Sequence, residues 1–374
     1  MCIRDRIKGE WEQMNISQNK RTLMMSGAVM GLLGALLAFM GNPKNMAICV
    51  ACFIRDSAGA MKLHTASAVQ YMRPEIAGFV CGAFLIAVIT KEYRSAAGSS
   101  PMLRFLLGFI MMAGSLAFLG CPLRMLIRMS AGDLNAYVGL LGFGAGVFTG
   151  TAALKRGFTL GRAYPSSNGS GAVLPVLLIV LLLLYNVTAL FASSETGPGS
   201  MHAPVLVSLA AGLLFGAIAQ KNRACFAGSL RDVFLMKNFD LLSIIGGFFI
   251  VMLAFNLLTG GFKLSFEGQP ISHSHHLWNF LGLYAVGFAA VLAGGCPLRQ
   301  LVLAGQGSSD SAVTFLGLLV GAAFCHNFGL AAGAAAAATE TAEAVSGGLT
   351  PAGKTVLVVS IGAVSYTHLR AHET

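Results

Sequence analysis

Ten apolar stretches divide the chain, and they set the strongest constraint on its fold. A membrane-spanning helix needs about 20 apolar residues, within a range of roughly 17 to 25. The stretches lie at 23–40, 75–90, 104–120, 135–153, 172–192, 204–219, 241–258, 277–294, 312–331 and 352–363. Only 11% of the residues are charged and 55% are hydrophobic, which excludes a soluble globule and a disordered chain. We predict an all-α polytopic membrane protein with about nine or ten transmembrane helices.

The net charge is +10, but the sequence contains no basic run that would indicate a nucleic-acid partner. Instead, Lys and Arg flank three loops that the positive-inside rule assigns to the cytoplasm: Lys20, Arg21, Lys91, Arg94, Arg104, Lys155, Arg156 and Arg162. The connections on the opposite side carry Glu195, and Lys263 with Glu267. The charges therefore predict a cytoplasmic N-terminus.

The two ends of the chain differ from the rest. Residues 1–6 (MCIRDR) and 364–374 (VSYTHLRAHET) are polar and unrelated to their neighbours. They resemble translated adapter sequence, and we exclude both from the fold. Residues 1–22 then form an N-terminal cytoplasmic segment that leads into the first span without a cleavage site.

Two cysteine motifs occur twice, in the same order. Cys49 precedes an Arg-Asp pair by five residues, and Cys225 does the same 176 residues later. The box Gly-Cys-Pro-Leu-Arg contains Cys121 and recurs letter for letter around Cys296, 175 residues later. Lys44-Asn45 also recurs as Lys221-Asn222, with one residue of slippage. Such a repeat indicates a duplicated chain, with one membrane repeat at 23–192 and the other at 204–363.

Each predicted repeat contains five spans. An odd number of spans reverses the direction of the second copy, so the sequence predicts an inverted repeat. Each cysteine motif lies between spans and is followed by a short semi-apolar stretch, which is typical of a re-entrant half-helix. Proline after the cysteine suits the first helical position, and the cysteine would lie beside the positive end of the half-helix. We predict four such half-helices.

This arrangement suits a small, soft anion. Four half-helix starts that converge, each with a thiol, would form a positive, polarisable and weakly hydrated passage. A charged Arg inside a membrane protein is by default a functional candidate. The candidates for the substrate pathway are Cys49, Cys121, Cys225, Cys296, Arg55, Arg124, Arg231 and Arg299. A second interpretation stays open for Arg55 and Arg231, which could pair with the adjacent Asp56 and Asp232.

The paired cysteine motifs and the two Gly-Cys-Pro-Leu-Arg boxes resemble the YeeE/YedE family of sulfur-transport membrane proteins. Their order is most similar to the YedE branch that is associated with selenium metabolism. The resemblance covers residues 24–363. It implies an inner-membrane protein of bacteria in which Cys49, Cys121 and Cys296 pass the ion along a central axis, with Cys225 as their repeat counterpart. It also implies a thiosulfate or selenium substrate, and a cytoplasmic sulfur or selenium carrier as a further partner.

The remaining cysteines and histidines have less specific interpretations. Cys49-x-x-Cys52 could form a redox or metal pair, but the second repeat has Gly228 in place of Cys52. Cys81 and Cys325 are predicted to be core hydrophobes. The cluster His273-Ser274-His275-His276 lies in a polar loop and is predicted to be solvated. We therefore predict neither a cofactor nor a metal site.

No phosphate loop and no Ser/His/Asp constellation is found, so the sequence does not favour an enzyme. The predicted function is transport of a small sulfur or selenium anion. Two alternatives from other classes remain: a membrane thiol-disulfide oxidoreductase, and a soft-metal transporter that depends on the histidine loop.

Overall fold

The computed structural model describes residues 3–336 and 345–370, and the side chains of residues 19–336 and 345–365. Residues 1–2 and 371–374, which belong to the predicted adapter segments, lie outside the described residues. The described part of the chain is mostly helical, with almost no strand. Its strands, β1 (Ala96–Ala97) and β2 (Tyr164–Pro165), form one short antiparallel pair.

Ten long helices correspond one to one to the ten apolar stretches. They are α1 (Ile3–Phe39), α3 (Pro74–Ile89), α4 (Pro101–Phe118), α6 (Leu134–Lys155), α7 (Asn168–Val187), α8 (Val205–Lys221), α10 (Asp240–Leu258), α11 (His276–Leu292), α13 (Ser309–Asn327) and α14 (Pro351–Arg370). Nine helical segments of the described chain are long and apolar enough to cross a membrane, and Pro351–Ser365 is a shorter apolar helix. The prediction of an all-α polytopic membrane protein is confirmed.

The predicted boundaries need correction at several ends. The fifth span was placed at 172–192, but α7 ends at Val187 because the backbone of Thr188 is extended. The ninth span was placed at 312–331, but α13 ends at Asn327. In addition, α1 begins at Ile3 and α14 ends at Arg370. Most of the segment 1–22 is thus helical and continuous with the first span.

Four short helices follow the four cysteine motifs: α2 (Val50–Ala60), α5 (Pro122–Ser130), α9 (Phe226–Met236) and α12 (Pro297–Gly305). They contain 9 or 11 residues. At 1.5 Å of rise per residue this length is about half of the apolar core of a bilayer. These helices have the lengths expected of the predicted half-helices.

The glycine of each Gly-Cys-Pro-Leu-Arg box makes room for the arginine of the same box. A Cβ at Gly120 would lie 2.6 Å from Cδ of Arg124, and one at Gly295 would lie 2.6 Å from Cγ of Arg299. Each arginine therefore folds back over the start of its own helix. The proline that follows the cysteine begins the helix, where its missing N–H group is not needed.

Both halves of the chain have the same order of helices: long, short, long, long, short, long, long. Contacts between the halves are reciprocal, because α1 packs on α10 as α8 packs on α3, and α4 packs on α13 as α11 packs on α6. Helices α4 and α11, which are counterparts, also contact each other. This exchange is expected when two copies are related by a two-fold axis, and it agrees with the predicted duplication.

Glycines allow these helix pairs to approach closely, as is typical of membrane helices. On the contact between α3 and α8, a Cβ at Gly82 would lie 2.0 Å from the carbonyl oxygen of Leu213, and one at Gly216 would lie 2.2 Å from that of Phe79. On the contact between α1 and α10, a Cβ at Gly27 would lie 2.0 Å from the carbonyl oxygen of Ile244. The obstructing atoms are backbone atoms, which cannot rotate away.

Replacing Gly82 with Val should destabilise the protein, because the added side chain would force α3 away from α8. Overpacking of this kind costs roughly 1–3 kcal/mol. The measurement is the thermal unfolding temperature of the detergent-solubilised protein. Gly246→Ala is the matched control, since a Cβ at Gly246 would meet no atom within 4 Å. Equal unfolding temperatures for Gly82→Val and wild type would contradict this packing.

Candidate functional site

The four predicted cysteines occupy equivalent positions in the fold. Cys49, Cys121, Cys225 and Cys296 are the N-cap residues of α2, α5, α9 and α12. An N-cap residue lies beside the unpaired N–H groups and the positive dipole end of its helix. In α2 and α9 the thiol itself accepts a hydrogen bond, from the amide of Cys52 or of Gly228. Each half therefore presents two thiols at helix starts.

The structure brings these thiols together in two pairs. The Sγ atoms of Cys49 and Cys121 are 3.8 Å apart, and those of Cys225 and Cys296 are 3.9 Å apart. Both distances are contacts between free thiols, since a disulfide bond measures about 2.05 Å. Each pair joins the two cysteine motifs of one half. We call them the first and the second thiol pair.

The first thiol pair is enclosed by protein. Cys49 and Cys121 are buried, and so is Cys52 one helical turn after Cys49. The guanidinium group of Arg124 donates a hydrogen bond from Nη1 to Sγ of Cys52 at 3.3 Å. Cys52 thus lies in the same buried cluster, although its repeat counterpart, Gly228, has no thiol. The two halves differ chemically at this position.

Arg124 is completely buried and is held by oxygen acceptors. It donates to the carbonyl and the side-chain oxygen of Asn45 at 3.1 and 2.9 Å, to the carbonyl of Ile271 at 3.2 Å, and to the carbonyl of Leu119. Within the described residues its partners do not include a carboxylate. Its hydrogen-bonding groups are thus satisfied while its positive charge stays uncompensated beside the first thiol pair.

The second thiol pair is more open. Cys225 is only partly buried, and it lines a cavity of about 300 Å³ together with Arg223, Arg231 and Arg299. Asp232 also lines this cavity. The side chain of Arg299 donates one hydrogen bond among the described residues, to Oε1 of Gln220 at 3.4 Å. Three guanidinium groups and one carboxylate make the cavity electropositive.

Asn45 and Gln220 have equivalent roles, which the sequence comparison did not identify. Each accepts a hydrogen bond from the arginine of its own half. The sequence paired Asn45 with Asn222, but the contacts make Gln220 its counterpart. The amide group of Gln220 also donates to Glu92 at 3.3 Å. Gln220 lies 175 residues after Asn45, the same offset that separates the two boxes, so the box offset is the sequence signal that identifies this pair.

Arg55 and Arg231 each pair with the adjacent aspartate, which is the second interpretation that the sequence allows for them. Nη2 of Arg55 lies 2.7 Å from Asp56, and Nη2 of Arg231 lies 2.9 Å from Asp232. Asp56 also pairs with Arg73 at 2.7 Å, so it is shared by two arginines inside the protein. Arg231 differs, because it also lines the cavity beside Cys225.

The remaining cysteines and the histidine cluster lie apart from the two thiol pairs in their contacts. Cys81 and Cys325 are buried, as predicted for core residues. The prediction of a solvated histidine loop is wrong for His273, which is buried and contacts the carbonyl oxygen of Ala117 at 2.8 Å. Burial lowers the pKa of His273 to about 4, because the charged form would lose its hydration. In the described part of the chain, no group of three His, Cys, Asp or Glu side chains could hold a metal ion.

These features define a polytopic helical membrane protein with two thiol pairs at the starts of half-length helices. Residues 221–373 match the family model described as "Sulphur transport". The match covers less than half of the chain, and it confirms the resemblance to the YeeE/YedE family.

Two relatives match a shorter part of the chain. The thiosulfate transporter TsuA of Escherichia coli (strain K12) is 26% identical over 124 residues, which cover 32% of this chain and 34% of the relative. TsuA of Spirochaeta thermophila (strain ATCC 700085 / DSM 6578 / Z-1203) is 30% identical over 117 residues, which cover 30% of this chain and 34% of the relative. The chain thus spans about a third of the length of the relatives that it matches.

Exposure of the second thiol pair leads to a labelling prediction. In inside-out membrane vesicles, a membrane-impermeant maleimide should modify Cys225 faster than Cys121, because only Cys225 lies at an open cavity. Peptide mass spectrometry after timed labelling measures the two rates. Cys225→Ser should remove the fast-labelled peptide, whereas Cys121→Ser should leave it unchanged. Equal labelling of Cys121 and Cys225 would contradict the observed difference in burial.

Proposed function

We propose that the protein transports a small sulfur- or selenium-containing anion across the inner membrane of a bacterium. The single observation that supports this most strongly is the geometry of the two thiol pairs. Each pair caps two half-length helices and lies near an arginine from a Gly-Cys-Pro-Leu-Arg box. The family match and the two thiosulfate transporters among the relatives agree with an anion of this kind.

The chemistry of the thiol pairs fits a soft anion. A thiol is a weak donor and a polarisable neighbour, so it suits a terminal sulfur or selenium atom better than a strongly hydrated oxyanion. The helix starts and the arginines attract negative charge. Because no single group binds the ion strongly, the ion can leave one thiol pair for the next. We propose that Cys49, Cys121, Cys225 and Cys296 form this route.

We propose that transport is inward, and the predicted orientation assigns the two thiol pairs to the two sides of the membrane. With a cytoplasmic N-terminus, the motifs of Cys49 and Cys121 start from the outer side, and those of Cys225 and Cys296 start from the inner side. The electropositive cavity at Cys225 would then open toward the cytoplasm. Arg231 and Arg299 would hold the arriving anion there before a cytoplasmic sulfur or selenium carrier receives it. We propose this carrier as the protein partner, with the lipid bilayer as the surroundings.

A thiol-disulfide oxidoreductase is the second candidate, because two thiols lie within 4 Å of each other in each half. Such an enzyme needs an exchangeable disulfide and a protein partner, whereas a relay needs reduced thiols. Trapping of mixed disulfides distinguishes them. If a Cys121→Ser or Cys49→Ser variant accumulates a disulfide-linked protein partner, the oxidoreductase is favoured.

Uptake measurements in cells that lack their own sulfur and selenium uptake systems test the proposed function directly. Cells that produce the protein should accumulate labelled thiosulfate or a labelled selenium compound, and the preferred label identifies the substrate. Accumulation of neither label by cells with the protein in the membrane would refute transport of this class.

Replacing Cys121 or Cys296 with Ala should abolish uptake, because each removes one thiol of a pair. The protein should remain in the membrane in normal amounts, since alanine leaves the helix start and its proline intact. Cys81→Ala is the control: Cys81 is buried away from both pairs and should be replaceable with almost no effect. Full uptake by either of the first two variants would contradict the relay.

Replacing Arg299 with Gln should reduce uptake at limiting substrate by roughly 10- to 100-fold, which corresponds to one lost hydrogen bond between charged groups. Arg299→Lys keeps the charge and should retain part of the activity. If Arg299→Gln transports normally and divalent soft metals are taken up instead, the soft-metal alternative is favoured. Initial rates over a range of substrate concentrations measure the effect.

A further inference from the structure

Glu75 is an acidic side chain in a place where an acidic side chain is unexpected. It lies in the first turn of α3, within one of the apolar spans, and it is completely buried. Its Oε1 atom accepts a hydrogen bond from Nδ2 of Asn42 at 2.9 Å. Its Oε2 atom has no hydrogen-bond partner among the described residues. The family resemblance and the cysteine motifs do not account for this carboxyl group.

An ionised carboxylate has about four acceptor sites, and burying it without a counter-ion is unfavourable by several kcal/mol. Arg73, two residues before Glu75, reaches it only through Asn42, to whose Oδ1 atom its Nη1 atom donates at 3.5 Å. It donates to Asp56 from Nε at 2.8 Å, and to the carbonyls of Pro198 and Met201 at 2.9 and 3.2 Å. Arg55 is paired with the same aspartate. Glu75 thus has no cationic partner of its own in the described structure.

We propose that Glu75 binds a proton and couples inward proton movement to uptake of the anion. The inference rests on the proposed transport function and adds its driving force. Acidic side chains inside membrane proteins commonly serve as proton relays.

Protonation changes the charge around the first thiol pair. Arg55, Arg73 and Asp56 together carry one net positive charge, which an ionised Glu75 offsets, and Arg124 adds a second positive charge beside the thiols. Proton uptake by Glu75 restores that positive charge inside the protein. An anion at the first thiol pair is then attracted, and it neutralises the cluster in turn. Binding of the proton and binding of the anion therefore favour each other.

Asn42 connects Glu75 to the thiol pair. Its Nδ2 atom donates to Glu75 and also to the carbonyl oxygen of Ala47, two residues before Cys49, at 2.8 Å. Its Oδ1 atom accepts from the amide of Ala203 at 2.9 Å. One side chain thus links α3, the loop before Cys49 and the segment that leads into α8. A change in the acceptor strength of Glu75 reaches Cys49 through this contact.

The proposed proton route lies on the side of the segment 198–203. Tyr71 interacts electrostatically with Glu75, and its buried hydroxyl has no hydrogen-bond partner in the described structure. The ring of Tyr71 stacks on exposed His202 with the centroids 4.0 Å apart, and Tyr185 contacts its edge. On helix α8, the residue that packs against Glu75 is Gly212, which carries no charge. The charged and titratable neighbours are therefore Arg73, Asp56, Arg55, Tyr71, His202 and Tyr185.

Transport by purified protein in proteoliposomes tests this inference, with the membrane potential clamped by potassium and valinomycin. With wild type, one pH unit, acidic outside, should support about tenfold accumulation of labelled thiosulfate or of the selenium compound identified as substrate, because each tenfold ratio equals about 1.4 kcal/mol. Glu75→Gln should lose this accumulation while it still exchanges labelled for unlabelled substrate. Glu75→Asp, which keeps a titratable group, should retain both. Exchange without accumulation is the signature of lost coupling.

A second measurement on the wild-type protein is independent of any variant. A substrate gradient, high outside, should carry protons inward and acidify the lumen, as read by a trapped pH dye. No acidification during uptake would overturn the proposal, as would wild-type accumulation by Glu75→Gln or accumulation that follows a sodium gradient. Failure of the transport function itself is distinguishable, because wild type would then show no substrate exchange at all.

Discussion

The fold depends on satisfying the backbone at four helix starts that lie within an apolar protein. A helix that begins inside a membrane protein leaves unpaired N–H groups, and the lipid core has no water to accept their hydrogen bonds. Here a cysteine is the N-cap residue at each start. Its thiol accepts a backbone hydrogen bond in α2 and α9, and proline removes one donor in α5 and α12. The same groups that make the half-length helices possible also make a polarisable, positive surface. Folding and the proposed anion route therefore use one set of residues.

Duplication supplies this arrangement twice, but the two copies are not chemically equal. In the first half Arg124 is enclosed by carbonyl oxygens and a third thiol lies nearby. In the second half Arg299 faces a cavity that two more arginines line. The first thiol pair is therefore enclosed by protein, whereas the second lies at an open cavity.

Much of the fold could be predicted from the sequence. The length of an apolar stretch indicates a spanning helix, and each repeated motif indicates the start of a short helix. All ten apolar stretches became helices, and the four motif cysteines became helix caps.

The partners of the charged groups were not predictable in the same way. Arg124 meets Asn45 and Ile271, which are 79 and 147 residues away in the chain. His273 lies in a polar stretch of the sequence but is buried, because the segment around it folds back onto the end of α4. The sequence does not single out Glu75, because an isolated acidic residue at a helix start is usually exposed.

The sequence by itself determined the protein's class, its duplicated plan and the four thiols, because hydropathy and motif spacing depend on neighbouring residues only. The tertiary structure alone decided how the thiols pair, which arginines are locally neutralised, which half is open and that Glu75 lacks a partner. These properties depend on contacts between residues far apart in the chain, such as the 72 and 71 residues that separate the members of the two thiol pairs. Contacts of this range leave no periodic signal in a single sequence.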